Sequence, residues 1–135
     1  MDFKLNNGEQ VRTVKATKAS ATVIEAGDLV AIASGLIIKA TATSAAIAYA
    51  PNGAGNGETE IDVTVGNDFT LVGTADANFA VTDKGGIVDV IVTNNVQLID
   101  LGESSIDVLK VGISQDSGTV GSTSNIEVKI NKYIF

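Results

Sequence analysis

The 135-residue chain contains no cysteine, no histidine and no tryptophan. Without cysteine there can be no disulfides, no thiolate metal ligands and no cysteine nucleophile. Without histidine the chain lacks the usual general base near neutral pH and the commonest zinc ligand, so a Ser-His-Asp triad cannot be built. These absences predict a protein that is not an enzyme and that uses no metal and no cofactor.

Positive charge is scarce and unevenly placed. The net charge is −7, which disfavours nucleic acid and membranes as partners because both are bound by Lys/Arg-rich surfaces. Residues 19–135 carry five lysines against fourteen acidic residues, a net of −9. Residues 1–18 carry a net of +2, from two acidic residues and four basic ones: Lys4, Arg12, Lys15 and Lys18.

The basic start of the chain has two interpretations. It can be an ordinary solvated segment, or a basic arm that docks on an acidic partner surface and is mobile when free. The second interpretation divides the chain into an arm, residues 1–18, and a single β domain, residues 19–135. The four basic residues of the arm are then the candidate contact residues.

Long apolar runs are also missing. Only ten uncharged residues, "LVAIASGLII", separate Asp28 from Lys39, whereas a membrane-spanning helix needs about 20. Gly27 and Gly35 oppose a helix here at about 1 kcal/mol each. The opening "MDFKLNNGEQ" has no apolar region behind a basic start, so it does not resemble a signal peptide and export is not expected.

The chain is instead rich in β-branched residues: Val, Ile and Thr number 16, 14 and 13, against seven Leu. Such residues favour strands over helices. The apolar run predicts strands over 28–33 and 36–40, joined by a Ser-Gly turn. In "AIAYA", Ile47 and Tyr49 are predicted on one face, with the alanines on the other.

Similar alternation marks "TEIDVTV", "FTLVG", "IVDVIVT", "VQLIDL", "IDVLKVGIS" and "IEVKINKYIF". About nine or ten short strands, with turn signals every 8–12 residues, predict an all-β fold: a compact antiparallel barrel or sandwich. At most one short helix is expected, near "LGESSIDVLK", where "SSID" resembles a weak capping box.

No motif in the chain indicates a catalytic, cofactor or metal site. "GAGNG" (53–57) lacks the lysine of a phosphate loop and no helix pattern follows it, so it is predicted to be a plain loop. Glu60 and Asp62 alternate as on a solvent-facing strand rather than as a catalytic carboxylate pair. Asp76 and Asn78 match only a fragment of a calcium loop.

Two stretches carry a family resemblance. "EAGDLVAIASGLIIKAT" resembles the opening of small phage head decoration, or capsid cement, proteins. "LKVGIS", a Gly- and Ser-rich gap and then "NIEVKIN" resembles their closing pattern. The likeness extends over about residues 20–131. The longer basic start and the final "KYIF" depart from it, so either segment is a candidate for docking.

The resemblance implies a non-enzymatic structural protein with a barrel-like fold that binds the outer surface of an icosahedral phage capsid and stabilises the expanded shell. Its partner would be the major capsid protein lattice. A homo-oligomer is expected, with a trimer favoured, on the exterior of the virion after synthesis in the host cytoplasm. Two alternatives stay open: a viral tail, fibre or spike module, and a bacterial carbohydrate- or protein-binding β-module.

Overall fold

The computed structural model describes residues 2–7, 11–114 and 123–135. The fold is all-β, with 51% of residues in strands, so the predicted fold class is confirmed. The described strands are β1 (Phe3–Asn7), β2 (Thr13–Thr17), β3 (Leu29–Ala33), β4 (Leu36–Lys39), β5 (Ala48–Tyr49), β6 (Glu60–Thr64), β7 (Thr70–Asn78), β8 (Ile87–Thr93), β9 (Val96–Asp100), β10 (Leu109–Ser114) and β11 (Thr123–Ile130).

Five of these strands close into a barrel in the order β7-β11-β10-β8-β9. Its neighbours pair antiparallel except at the closure, where β9 lies parallel to β7 and Ala75 is opposite Ile99. Alternate residues of each strand fill the interior, as the sequence patterns predict. In β11 these are Ile126, Val128 and Ile130, all fully buried.

A second group of strands packs beside the barrel, and we call it the second body. It consists of the pair β2-β6 and the three-stranded sheet β4-β3-β5. The two pieces meet where Lys18 bridges Ile37, and where the Tyr49 amide donates to Thr64 Oγ1 at 3.0 Å. They enclose a second core of small and branched residues: Ile24, Val30, Ile37, Ala48, Ala50, Ala54, Ile61 and Val63.

Away from its hairpin tip, the sheet β4-β3-β5 is buried on both faces because it separates the two cores. Leu29, Ile47 and Tyr49 face the barrel core, whereas Val30 and Ala48 face the second core. A strand buried on both faces needs consecutive apolar residues rather than polar alternation. This is why residues 29–31 and 47–50 are continuously apolar, and why Ile47 and Tyr49 share a face as predicted.

The β3–β4 hairpin has the predicted turn. Ser34 and Gly35 both adopt positive φ angles, 51° and 79°, as a two-residue type I′ turn requires. Asn94 and Asn95 make the same kind of turn between β8 and β9, with φ angles of 50° and 66°. Among the amino acids, asparagine is second only to glycine in tolerating positive φ angles.

The short helical element lies elsewhere than predicted. Among the described residues, the structure has one 3₁₀ turn, at Val81–Asp83, and none near "LGESSIDVLK". There, the Ser104 hydroxyl donates to the Asp107 carboxylate, and Asp107 has a φ of 66°. The polar side chains therefore satisfy each other in a loop instead of capping a helix.

Described parts of the predicted arm, residues 1–18, are paired with strands of the body. β1 pairs with β7, and β2 pairs with β6 over five residues. Phe3 is only 1% exposed, and Val14 and Ala16 pack against the second core. These contacts join the described part of the basic segment to the body, and the mobility of the segment in the free protein stays a prediction.

The contact between Phe3 and Gly73 allows a test of whether the first strand belongs to the folded body. The two residues are paired across β1 and β7, and a methyl group on Gly73 would come within 2.3 Å of the Phe3 ring. We expect Phe3→Ala to lower the free energy of unfolding by about 3–5 kcal/mol. The measurement is urea unfolding followed by circular dichroism.

Leu5→Ala is the matched control, since Leu5 is on the same strand but 44% exposed, and it should lose less than about 1 kcal/mol. Gly73→Ala should lower the free energy of unfolding in the wild-type background. It should lower it by less in a Phe3→Leu background, where the ring is absent. A Phe3→Ala protein as stable as the wild type would show that the first strand is not part of the folded body.

Candidate functional site

A groove of about 510 Å³ opens beside the junction of the two bodies. We call it the polar groove. Charged and amide side chains dominate its walls: Asp2, Glu25, Asp28, Lys39, Asn94 and Asn95. The β3–β4 hairpin supplies Lys39, and the β8–β9 turn supplies the two asparagines, so the groove depends on the packing of the barrel against the sheet β4-β3-β5.

Lys39 is the central charge of the polar groove. Its ammonium donates to the backbone oxygen of Asn95 at 2.7 Å and lies 3.6 Å from Asp28 Oδ2 and 3.9 Å from Asp2 Oδ2. The Asp28 side chain is completely buried, and that of Lys39 is 22% exposed. Removing one member would leave the other charges poorly compensated, which is costly for buried ions.

Gln97 is the buried polar residue at this junction that sequence reasoning missed. It is 1% exposed. Its Oε1 accepts from the Leu29 amide at 2.8 Å, while its Nε2 donates to the Leu29 and Ala40 oxygens at 2.8 and 3.1 Å. Its own amide donates to Asp2 Oδ2 at 2.9 Å. The side chain thus pairs with β3 much as a neighbouring strand would, and it joins β9 to β3.

Three of the four basic residues predicted as contacts are exposed, and the fourth is buried. Lys4 and Arg12 are exposed, in or beside strands of different sheets. Lys15 is 70% exposed but lies 3.1 Å from Asp62, and the hydrogen bond between them raises the pKa of Lys15 and lowers the pKa of Asp62. Lys18 is 1% exposed, so it offers no surface charge.

A second groove, of about 340 Å³, lies on the β3–β4 hairpin. We call it the uncharged groove, because alanine, isoleucine, threonine and serine form its whole lining: Ala31, Ile32, Ala33, Ile38, Thr41, Thr43, Ser44, Ala45 and Ala46. Ile32 is 44% exposed, and Leu36, in the partner strand, is 39% exposed. On a chain with a net charge of −7, an uncharged surface is one where another protein can dock with little electrostatic cost.

An acidic corner lies next to the barrel closure. Asp76 accepts a hydrogen bond from the Leu101 amide at 3.1 Å, one residue from the pairing of Ala75 with Ile99. Burial, together with the nearby charges of Asp76 and Glu103 and a hydrogen bond to Asp76, raises the pKa of Asp100. Like charges therefore oppose each other close to the parallel pairing that closes the barrel.

Asp89 is a further buried carboxylate near this corner. It is 3% exposed, and it accepts hydrogen bonds from the amides of Ser105, Ile106 and Asp107 at 3.2, 2.8 and 2.7 Å. It thereby holds the loop between β9 and β10. Within residues 2–7, 11–114 and 123–135, no three acidic side chains are grouped to hold a metal ion, and no helix is long and apolar enough to cross a membrane.

Comparison with protein-family models, curated proteins and solved structures finds no match to this chain. The resemblance to head decoration proteins therefore rests on the two quoted stretches. The structure places the first in the β3–β4 hairpin and its flanks, and the described part of the second in β10 and β11. The first stretch thus contributes to both grooves.

The acidic corner generates a pH prediction. Because the folded-state pKa of Asp100 is raised, protonation favours the folded state, and this contribution is lost as pH rises through that pKa. We expect Asp100→Asn to melt roughly 1–3 °C above the wild type at pH 7. The difference should vanish below pH ~3.5, under the usual aspartate pKa.

The measurement is thermal unfolding by circular dichroism across that pH range. Asp68→Asn is the control for the change in net charge, because Asp68 is exposed and lies outside the corner. A gain for Asp100→Asn that is the same at both pH values, or equal to that of the control, would contradict the interpretation.

Proposed function

We propose that the protein is a non-enzymatic structural protein that binds the outer surface of an icosahedral phage capsid and stabilises the expanded shell. The observation that carries this proposal is the place of the resembling stretch. It forms the β3–β4 hairpin, which presents Ile32 and Leu36 beside the uncharged groove. The same stretch that resembles the decoration proteins thus also supplies a surface suited to contact with another protein.

The packing of the body supports the same role. Away from the tip, the sheet that carries the hairpin is buried on both faces, so its exposed tip is held by a rigid support. Rigid surfaces lose little conformational entropy on binding. A small body that meets many equivalent sites on a lattice, in particular as a trimer, gains further through multivalency.

Two other surfaces are candidates for additional contacts. Lys4, Arg12 and Lys15 are exposed and could meet acidic groups of the shell, although Asp62 already pairs with Lys15. In the "KYIF" segment, Tyr133 is 49% exposed and Phe135 is 39% exposed. Exposed aromatic residues often provide much of the affinity of an interface.

The test is co-sedimentation of the purified protein with cognate capsids, both immature and expanded. We expect binding to expanded shells and an increase in the temperature at which those shells disrupt. Protein that stays in the supernatant with both kinds of shell would contradict the proposal.

Variants then separate the candidate surfaces. Ile32→Asp should weaken capsid binding more than about tenfold, equivalent to about 1.4 kcal/mol, since it places a charge in the uncharged groove. Ile87→Asp is its matched control, because Ile87 is 41% exposed but lies on a barrel strand. The double variant Lys4→Glu/Arg12→Glu tests the basic residues, and Lys84→Glu is its control. If Lys4 and Arg12 contact the shell, binding of the wild type should weaken as the salt concentration rises.

The polar groove favours a second candidate function, that of a carbohydrate-binding module. Asn94 and Asn95 line the groove, and side-chain amides are groups that can bind sugar hydroxyls. A saccharide that raises the melting temperature of the wild type, but not that of Asn94→Ala, would favour this candidate.

A further inference from the structure

The Lys18 ammonium is enclosed by backbone oxygens. Lys18 is 1% exposed, and its Nζ donates to the Ala19 oxygen at 2.8 Å, to the Ser20 oxygen at 3.3 Å and to the Thr22 oxygen. An ammonium has three N–H donors, and here three carbonyls in four consecutive residues receive them. No carboxylate takes part in these bonds, so the positive charge is stabilised by backbone dipoles.

The carbonyls are held in place independently of the ammonium. The Ala19 amide donates to the Ile37 oxygen at 3.0 Å, the Gly57 amide to the Ser20 oxygen at 2.7 Å, and the Thr22 amide to the Ala19 oxygen at 3.1 Å. Backbone bonds to β4 and to the 55–58 turn therefore fix the loop of residues 19–22. A site whose ligands are fixed by other contacts is preorganised for its cation.

The site lies where the second body closes. Lys18 bridges Ile37 in parallel, which joins the end of β2 to β4, and the Lys18 amide donates to the Thr59 oxygen at 2.8 Å. Without a cation, the Thr22 oxygen would lose the donor that it has here, whereas the Ala19 and Ser20 oxygens would each keep one backbone amide.

We propose that residues 19–22 form a binding site for a primary alkylammonium ion, which the side chain of Lys18 fills in the native protein. The site is selective for a cation with three N–H donors, since each of the three carbonyls accepts one. Its role is to close the second body, and it is independent of capsid binding.

Chemical rescue tests this site. Lys18→Ala removes the three outer methylene groups and the ammonium, which propylammonium replaces. We expect the melting temperature of Lys18→Ala to lie roughly 10 °C below that of the wild type. Millimolar to molar propylammonium chloride should recover at least about 3 °C of this loss. Tetramethylammonium chloride at equal concentration controls for ionic strength and cannot donate hydrogen bonds.

Lys18→Met is the second variant, because its side chain fills most of the space but carries no charge. It should be destabilised and should not respond to propylammonium. If Lys18→Ala is unfolded in buffer, refolding in propylammonium but not in tetramethylammonium supports the site. The proposal would be overturned if propylammonium changed the melting temperature by the same amount in Lys18→Ala, Lys18→Met and the wild type.

Nuclear magnetic resonance of the wild type provides a readout that needs no variant. The ¹⁵N-labelled ammonium of Lys18 should exchange its protons at least about tenfold more slowly than that of Lys15, because burial limits access of water. Lys15 is the matched comparison, since it is 70% exposed and paired with Asp62. Equal exchange rates for the two ammonium groups would overturn the proposal.

Discussion

The structure depends on one constraint, the burial of both faces of the sheet β4-β3-β5 at the end that holds Leu29 and Tyr49. The sheet forms a wall of the barrel core and of the second core at once, so each core loses part of its boundary without it. Burying apolar surface stabilises the folded state by about 25 cal/mol per Å². Here the same short strands bury apolar surface on both sides. The alanines Ala48 and Ala50 face the second core, where small side chains let the neighbouring strands pack closely.

Some backbone groups in and around this sheet do not hydrogen-bond to a neighbouring strand. Side chains provide the hydrogen bonds for several of them. The Gln97 side chain bonds to both backbone groups of Leu29, Thr64 Oγ1 accepts from the Tyr49 amide, and the Lys18 ammonium donates to three carbonyls. Buried polar groups of the backbone are almost always bonded. These polar side chains thus connect sheets that share few direct backbone pairings. The exposed hairpin tip and the polar groove both lie on this supported wall.

Much of the fold could be predicted, because local patterns determine it. Valine and isoleucine alternation marks β6, β8 and β11, and Ser34-Gly35 marks the tight turn. The rest depends on contacts distant in sequence. Hydrophobic alternation in "VQLIDL" is compatible with Val96 and Leu98 pointing inward, yet Gln97 and Ile99 are the buried residues. The reason is that the Gln97 side chain hydrogen-bonds to the backbone of Leu29 in β3. Lys18 looks like a surface charge until its neighbours are known, and Phe3 anchors a segment that charge alone suggested to be free. No local signal marks the parallel closure of β7 on β9.

The central claim is that the shared sheet makes both cores one cooperative unit. It is tested most directly by a urea titration of the wild type, followed by methyl resonances of isoleucine and valine. Ile24, Ile61 and Val63 report on the second core, and Ile99 and Ile126 report on the barrel core. Both groups should lose their native signals with the same midpoint and the same urea dependence. Loss of the second-core signals at a lower urea concentration, while the barrel-core signals persist, would contradict the account.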